Sequence, residues 1–428
     1  MRGVRQLVGS IKKHLTFIGI IVGALIVKTL FSTVTFSSDF QNLALMASFS
    51  HVSAVFAGPY TFTRYLMNVF YRIWLRLPLE HVEPSEAFKL IRESPTAGSV
   101  GYILALKTPM LLFDFLTGII LYKSILALSR SRRDATIGMA MWLFNPYLTL
   151  SIEMDGTIDI VSAFFLTLGV YLFIKEKWAL VGLSLAVGTF ARFYPLTVLP
   201  FFLLTTYNQD GRFRALRILT GFFGGFAVTT LPFIVRFRSQ FFNMLLNLSV
   251  GGNKEFTWFF GHFFTVMSPP EAKISVVAIL YTLLLILLLV RREASNQILV
   301  DAIIVLLVGF LAFSHWNRYY SVWIAPLVTL DFVTNRKETN KIYTSLFILL
   351  FLGWFLFGAR WHITNFFWIQ YMPEVFTPLR IAVVETWKWV SAGYLIETFS
   401  RAILAAVSVI YMVYISVRDV FNGLTSLR

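Results

Sequence analysis

Apolar stretches long enough to cross a lipid bilayer recur along this 428-residue chain, and no other feature restricts its fold so severely. They run from Leu15 to Val34, Val100 to Leu128, Ala135 to Leu150, Ile158 to Ile174 and Leu216 to Val235. Others run from Ile274 to Val290, Ile298 to Phe313, Tyr319 to Val333, Ile342 to Phe357 and Tyr394 to Val417. With 57% hydrophobic and 14% charged residues, a soluble domain has too little polar surface to enclose them. Lipid offers no partner to a backbone N–H or C=O, so each segment is expected to satisfy its own as a helix. The expected class is an all-α polytopic membrane protein.

One segment needs a topological argument. The run Trp178–Thr206 is long for one span, short for two, and interrupted at Ala191–Pro195. Lys175 and Lys177 precede it, and Arg212, Arg214 and Arg217 follow it. Basic residues mark cytoplasmic loops, so the chain must cross outward and return between them. Two short helices meeting at the outer surface near Arg192 satisfy this, with a re-entrant hairpin as the alternative. The count becomes about 12 transmembrane helices in a single integral membrane domain spanning residues 1–428, with both termini inside. The basic start, Met1 to His14, leads into an apolar stretch too long for a cleaved signal and is read as a retained first span.

In this frame the net charge of +15 is a topology signal rather than a nucleic-acid footprint, because Lys and Arg concentrate in short loops such as Ser129–Asp134 and Thr334–Lys341. Residues 35–99, 236–273 and 359–389 become outer loops. In the first of these, Tyr60–Leu77 mixes Arg64, Arg72 and Arg76 with aromatics, the pattern of an amphipathic helix lying on a membrane. Cysteine is absent, which excludes disulfides and thiolate metal sites.

The unusual polar residues then fall on one side. Asp39 follows the first span; Glu153, Asp155 and Asp159 lie between the third and fourth; Arg192 and Tyr194 sit at the break; His315 and Arg318 lie between later spans. A carboxylate at that border can deprotonate an acceptor hydroxyl or stabilise charge building on a sugar ring. Arginine and histidine can hold a lipid-linked phosphate as a leaving group. Each residue also has a plainer role: Asp39 as a helix cap, Asp155 and Asp159 as turn and helix-start residues, Arg192 as an interfacial arginine, His315 and Arg318 as loop residues. Within the spans, Lys28 and Lys123 are expected to reach the interface. Lys107 and Asp114, seven residues apart, share a helix face and suit either site support or a structural pair.

Several of these segments resemble a known family. Phe144-Asn145-Pro146, the loop Ser151–Asp159, Gly188–Pro195 and the run His315–Pro326 resemble the core of GT-C glycosyltransferases, in particular the first mannosyltransferase of GPI-anchor synthesis. The resemblance implies a GT-C-like bundle and a membrane hexosyltransferase, with mannose from a polyprenyl or dolichyl phosphate as donor. It further implies inverting transfer to a lipid or glycan acceptor at a non-cytoplasmic site. The membrane would be the cell membrane in a prokaryote and the endoplasmic reticulum in a eukaryote. The family's acidic catalytic residue in the first outer loop maps onto Asp39. The family carries a paired Asp-x-Asp where this chain has Ser37, so metal use is left open; Asp39 and Asp155 are the candidate ligands, and oxygen donors suit Mg or Mn. Asn145-Pro146-Tyr147 and Tyr194–Thr197 also resemble the multi-spanning GPI transamidase subunit, which implies the alternative of a non-catalytic glycolipid-binding subunit of a membrane complex.

Overall fold

The computed structural model describes residues 2–34, 37–48, 61–93, 96–236, 276–290, 295–313, 318–335, 341, 344–352, 378 and 406–416; Asp39 and Arg318 are described by backbone alone. All regular elements among these are helical, as expected for backbone that must satisfy itself in lipid. Helix α1 (Arg2–Val34) enters the bundle along one stripe: Ala24, Lys28 and Ser32, spaced by four, are fully buried, while Leu15, Leu25 and Leu30 are exposed. An apolar helix flank with no protein cover is what a lipid-facing span presents. The apolar part of α1 (Leu15–Thr33) and helix α5 (Ala97–Ser129) are both long and apolar enough to cross a membrane. Further apolar helices of 10–17 residues accompany them.

Between α1 and α5 lie α2 (Ser38–Ser48), α3 (Thr61–Trp74) and α4 (Pro84–Glu93). The amphipathic helix expected in the first outer loop is α3. It buries Thr63, Arg64, Met67 and Asn68 and exposes Tyr65 and Ile73. The Asn68 amide donates to the Ala47 carbonyl of α2 at 2.6 Å, and Ser48 shares a 2.7 Å hydrogen bond with Tyr102 of α5. Burial on α3 lowers the Arg64 guanidinium to about 10.

At about 50 Å, α5 is the axis of the bundle. A Thr96–Ser99 capping box starts it and Arg130 in the left-handed conformation ends it. The chain continues through α6 (Arg132–Leu143), the single turn α7 (Pro146–Thr149) and a π-helical turn over Leu150–Met154. One continuous span was expected from Ala135 to Leu150. The helix instead stops and restarts, because Asn145 caps Leu148 N–H and Pro146 cannot continue the preceding helix. Next come α8 (Asp159–Ile174), α9 (Trp178–Ala191) and α10 (Tyr194–Asp210). The expected break falls at Arg192–Phe193, where Pro195 sits in the first turn of α10.

Helix α11 (Arg212–Arg236) runs back along α9 at very close range: a Cβ on Gly182 would lie 1.9 Å from the Ile218 carbonyl oxygen, and one on Gly221 2.0 Å from that of Ala179. Small residues let membrane helices approach this far. Helices α12 (Val276–Val290), α13 (Asn296–Phe313) and α14 (Ser321–Thr334) complete the labelled elements. Gln297 ties α13 to α14 by donating to Asp301 (2.9 Å) and Asp331 (2.8 Å).

A buried ion cluster locks the front of this bundle. Lys28 Nζ lies 2.7 Å from Asp114 Oδ2 of α5 and 3.1 Å from Glu153 Oε2 of the π-turn, with all three side chains fully buried. Lys28 therefore does not reach the interface; it points inward because its stripe of α1 faces α5. Asp114 is held at its backbone too, where its carbonyl accepts the Trp142 indole N–H at 3.1 Å. Burial pushes the Glu153 carboxyl well above the usual range; Lys28 pulls it down and neighbouring Asp114 pushes it up.

Two stability predictions follow from these contacts. Lys28→Met leaves Asp114 and Glu153 without their cation and should cost about 3–5 kcal/mol in reversible unfolding from detergent micelles. Adding Asp114→Asn and Glu153→Gln should recover most of that loss. Gly182→Leu should cost roughly 1–3 kcal/mol by forcing α9 and α11 apart, and unchanged thermal unfolding of this variant would contradict the close crossing.

Candidate functional site

The segment joining the π-turn to α8 organises the site. Its turn is wide: Asp155 N–H reaches back to the Leu150 carbonyl (3.0 Å) and Thr157 N–H to that of Ser151 (3.2 Å). The chain then leaves the helical path at Gly156, where φ is +73°. A Cβ there would also stand 2.5 Å from the Phe40 ring. The carbonyls at the end of the turn need donors, and Lys107 of α5 supplies them: its ammonium donates to Glu153 O at 2.6 Å and Met154 O at 2.9 Å. The next carbonyl, that of Asp155, accepts both Ser37 Oγ–H (2.7 Å) and Ser37 N–H (3.3 Å).

Ser37 is thus the joint between α2 and this strip. Its hydroxyl also accepts Phe40 N–H at 3.1 Å, which makes it the N-cap of α2. The plainer role considered for Asp39, capping this helix, is filled by Ser37, and Asp39 is the second residue of the helix. The Asp39 side chain lies outside the described set.

Four residues beyond Asp155, Asp159 begins α8, where a carboxylate suits the positive end of the helix dipole. Its Oδ1 meets Arg192 Nε at 3.1 Å; Asp159 is buried and Arg192 keeps 15% of its side-chain surface exposed. The guanidinium carbon stands 5.7 Å from the ring centroids of both Tyr320 and Trp323, within cation–π range. Trp323 in turn stacks on Tyr194 (4.3 Å, 10°) and on Tyr320 (4.3 Å, 29°). A hydrogen bond between the Tyr147 and Ser321 hydroxyls ties α7 to the start of α14 and helps place this wall. Trp323 is buried, and its indole N–H has no hydrogen-bond partner among the described residues.

The nominated residues therefore fall into two connected groups. Asp159, Arg192 and Tyr194 share one cluster. Glu153 and Asp155 are buried beside it, Glu153 within the ion cluster and Asp155 at the joint with Ser37. The backbone of Asp39 is brought to the same strip through Ser37. His315 lies outside the described residues, and the Arg318 backbone forms the short 3-10 turn Arg318–Tyr320 just ahead of the aromatic wall. Among the described residues no group of three or more His, Asp or Glu side chains is placed to hold a metal ion. Sequence reasoning missed Tyr320 and Trp323 as parts of the cluster. The signal available was their i, i+3 spacing, which puts both rings on one side of a helical turn.

A family model described as GPI transamidase subunit PIG-U matches residues 88–269, a stretch that contains Lys107, Asp114, Glu153, Asp159 and Arg192. No curated protein matches the chain. Among solved structures it is similar to the crystal structure of ArnT from Cupriavidus metallidurans bound to undecaprenyl phosphate, with 13% identity and a TM-score of 0.49 over 92% of this chain and 75% of that one.

Proposed function

We propose that the chain is a multi-pass membrane hexosyltransferase of GT-C type, with about 12 spans in one membrane domain and its site on the non-cytoplasmic side. The donor is a hexose, mannose by resemblance, on a polyprenyl or dolichyl phosphate; the acceptor is a lipid or glycan hydroxyl. One observation carries this reading. The start of α2, which bears Asp39, is hydrogen-bonded onto Asp155, four residues ahead of Asp159, the first residue of α8 and the partner of Arg192. This supports a reading in which an acid at position 39 and an oriented cation at position 192 serve one inverting displacement on a sugar phosphate.

In this mechanism Asp39 takes the proton of the acceptor hydroxyl as its oxygen attacks the anomeric carbon. The bond from that carbon to the phosphate oxygen breaks on the opposite face. Polyprenyl phosphate leaves with the electron pair, and its charge is met by Arg192, assisted by His315 and Arg318. Asp159 holds the guanidinium by its Nε edge and so fixes the direction of its remaining donors. Tyr194 and the rings beside it brace the Arg192 guanidinium from within the protein. Glu153 and Asp155 support the site from behind instead of touching the sugar.

A second reading rests on the family match over residues 88–269. The chain would then be a glycolipid-binding subunit of a membrane complex that transfers no sugar. Purified protein in nanodiscs, given labelled mannosyl polyprenyl phosphate and a mixed lipid acceptor, separates the two. Transfer should be detectable, and Asp39→Asn should lower it by about 10²–10⁴-fold with the protein still folded. Full activity in Asp39→Asn would remove Asp39 from the mechanism. Absence of transfer from any hexosyl donor, with stoichiometric co-purification of partner subunits, would favour the subunit reading.

A further inference from the structure

We infer that Lys107 is a positioning residue for Asp39, acting at a distance through a backbone latch built from Glu153 to Gly156 and closed by Ser37 and Phe40. This rests on the transferase reading only for what Asp39 does, not for the latch itself.

Lys107 is fully buried in the first half of α5, and its ammonium donates to the backbone carbonyls of Glu153 and Met154. A buried cation with hydrogen bonds of 2.6 and 2.9 Å to consecutive carbonyls fixes the direction of the peptide that follows. That peptide presents the Asp155 carbonyl to Ser37, which grips it with both its hydroxyl and its N–H. The other half of the latch is apolar. The Phe40 ring has the Lys107 ammonium 5.3 Å from its centroid and the bare α-carbon of Gly156 against it, with no room for a methyl group. Residues 37 and 40 are therefore both pinned to parts that Lys107 or its neighbouring turn supplies, and Asp39 lies between them. Loosening the turn should free the start of α2 without disturbing the Asp159–Arg192 pair, which hangs on α8 and α9.

Backbone hydrogen exchange of the full chain in nanodiscs tests the latch directly. In Lys107→Met and in Ser37→Ala, amides of residues 38–48 should exchange about tenfold faster or more, while those of α8 and α9 keep their rates. Should Lys107→Met fail to fold, Lys107→Gln, which keeps an uncharged donor, takes its place. In transfer assays the same variants should lose kcat while KM for the lipid-phosphate sugar stays within about twofold, because donor contacts are untouched. Wild-type exchange rates across residues 38–48 in the Lys107 variant would overturn the proposal, whatever the activity. Faster exchange in the variants, with no transfer by the unsubstituted chain from any hexosyl donor, would sustain the latch and sink the transferase reading.

Discussion

The Lys28–Asp114–Glu153 cluster is the interaction on which the front half of the molecule depends. Three ionisable side chains from α1, α5 and the π-turn meet with no exposure to water. Removing such groups from water costs several kcal/mol each, and that cost is recovered only when the geometry of pairing is good. The register of α1 against α5 is therefore narrow: a shift of one residue would turn Lys28 off the stripe it shares with Ala24 and Ser32. Glu153 transmits the constraint to the π-turn. From there Lys107 holds the turn's last carbonyls, Ser37 docks on the next one, and α2 takes its position. The position of α2 is thus set by charges buried on α1 and α5 together with its own buried apolar side chains, Phe40, Ala44 and Ala47.

Local features were legible wherever a local rule decides them. The break before Pro195 follows from what proline forbids. The same local rule splits Ala135–Leu150 at Asn145-Pro146, where one span was expected because its apolar length outweighed the Asn-Pro signal. Lys107 and Asp114 were legible as residues of one helix face because the helical repeat places them there. Their partners were not legible, since these depend on which face of α1 meets α5. Lys28 shows the difference: its place near the end of a span suggested an interfacial lysine, and only the packing of α1 turns it inward. Glu153 is a parallel case. A regular helix continuing past Leu150 would have aimed it elsewhere, and the wide turn swings it to Lys28.

Ser37 gives the departure from the family's paired-acid pattern a physical content. Its hydroxyl caps α2 and at the same time donates to Asp155, two jobs that need one atom able both to accept and to donate. An ionised aspartate at that position could accept from Phe40 N–H but could not donate to a carbonyl. Within this chain Ser37 is a structural joint, and under the proposed transferase reading the acid role falls to Asp39.

Charge at the border must therefore be weighed by what it pairs with. The acidic run Glu153–Asp159 invites a catalytic reading on the ground that a scaffold has little use for acids there. The geometry removes that ground, because Glu153 balances Lys28 and Asp159 balances Arg192 inside the protein. Both acids have a use in a molecule that never transfers a sugar. The case for catalysis contracts onto Asp39 and onto the partly exposed guanidinium of Arg192, held by Asp159 on one edge and flanked by Tyr320 and Trp323. A carboxylate already committed to an arginine makes a poor base, since protonating it would break the pair that orients the cation. The same commitment makes Asp159 a good holder of a phosphate-binding group. Division of labour between a paired acid that orients and a second acid that reacts is the arrangement in which both readings of this fold can be told apart.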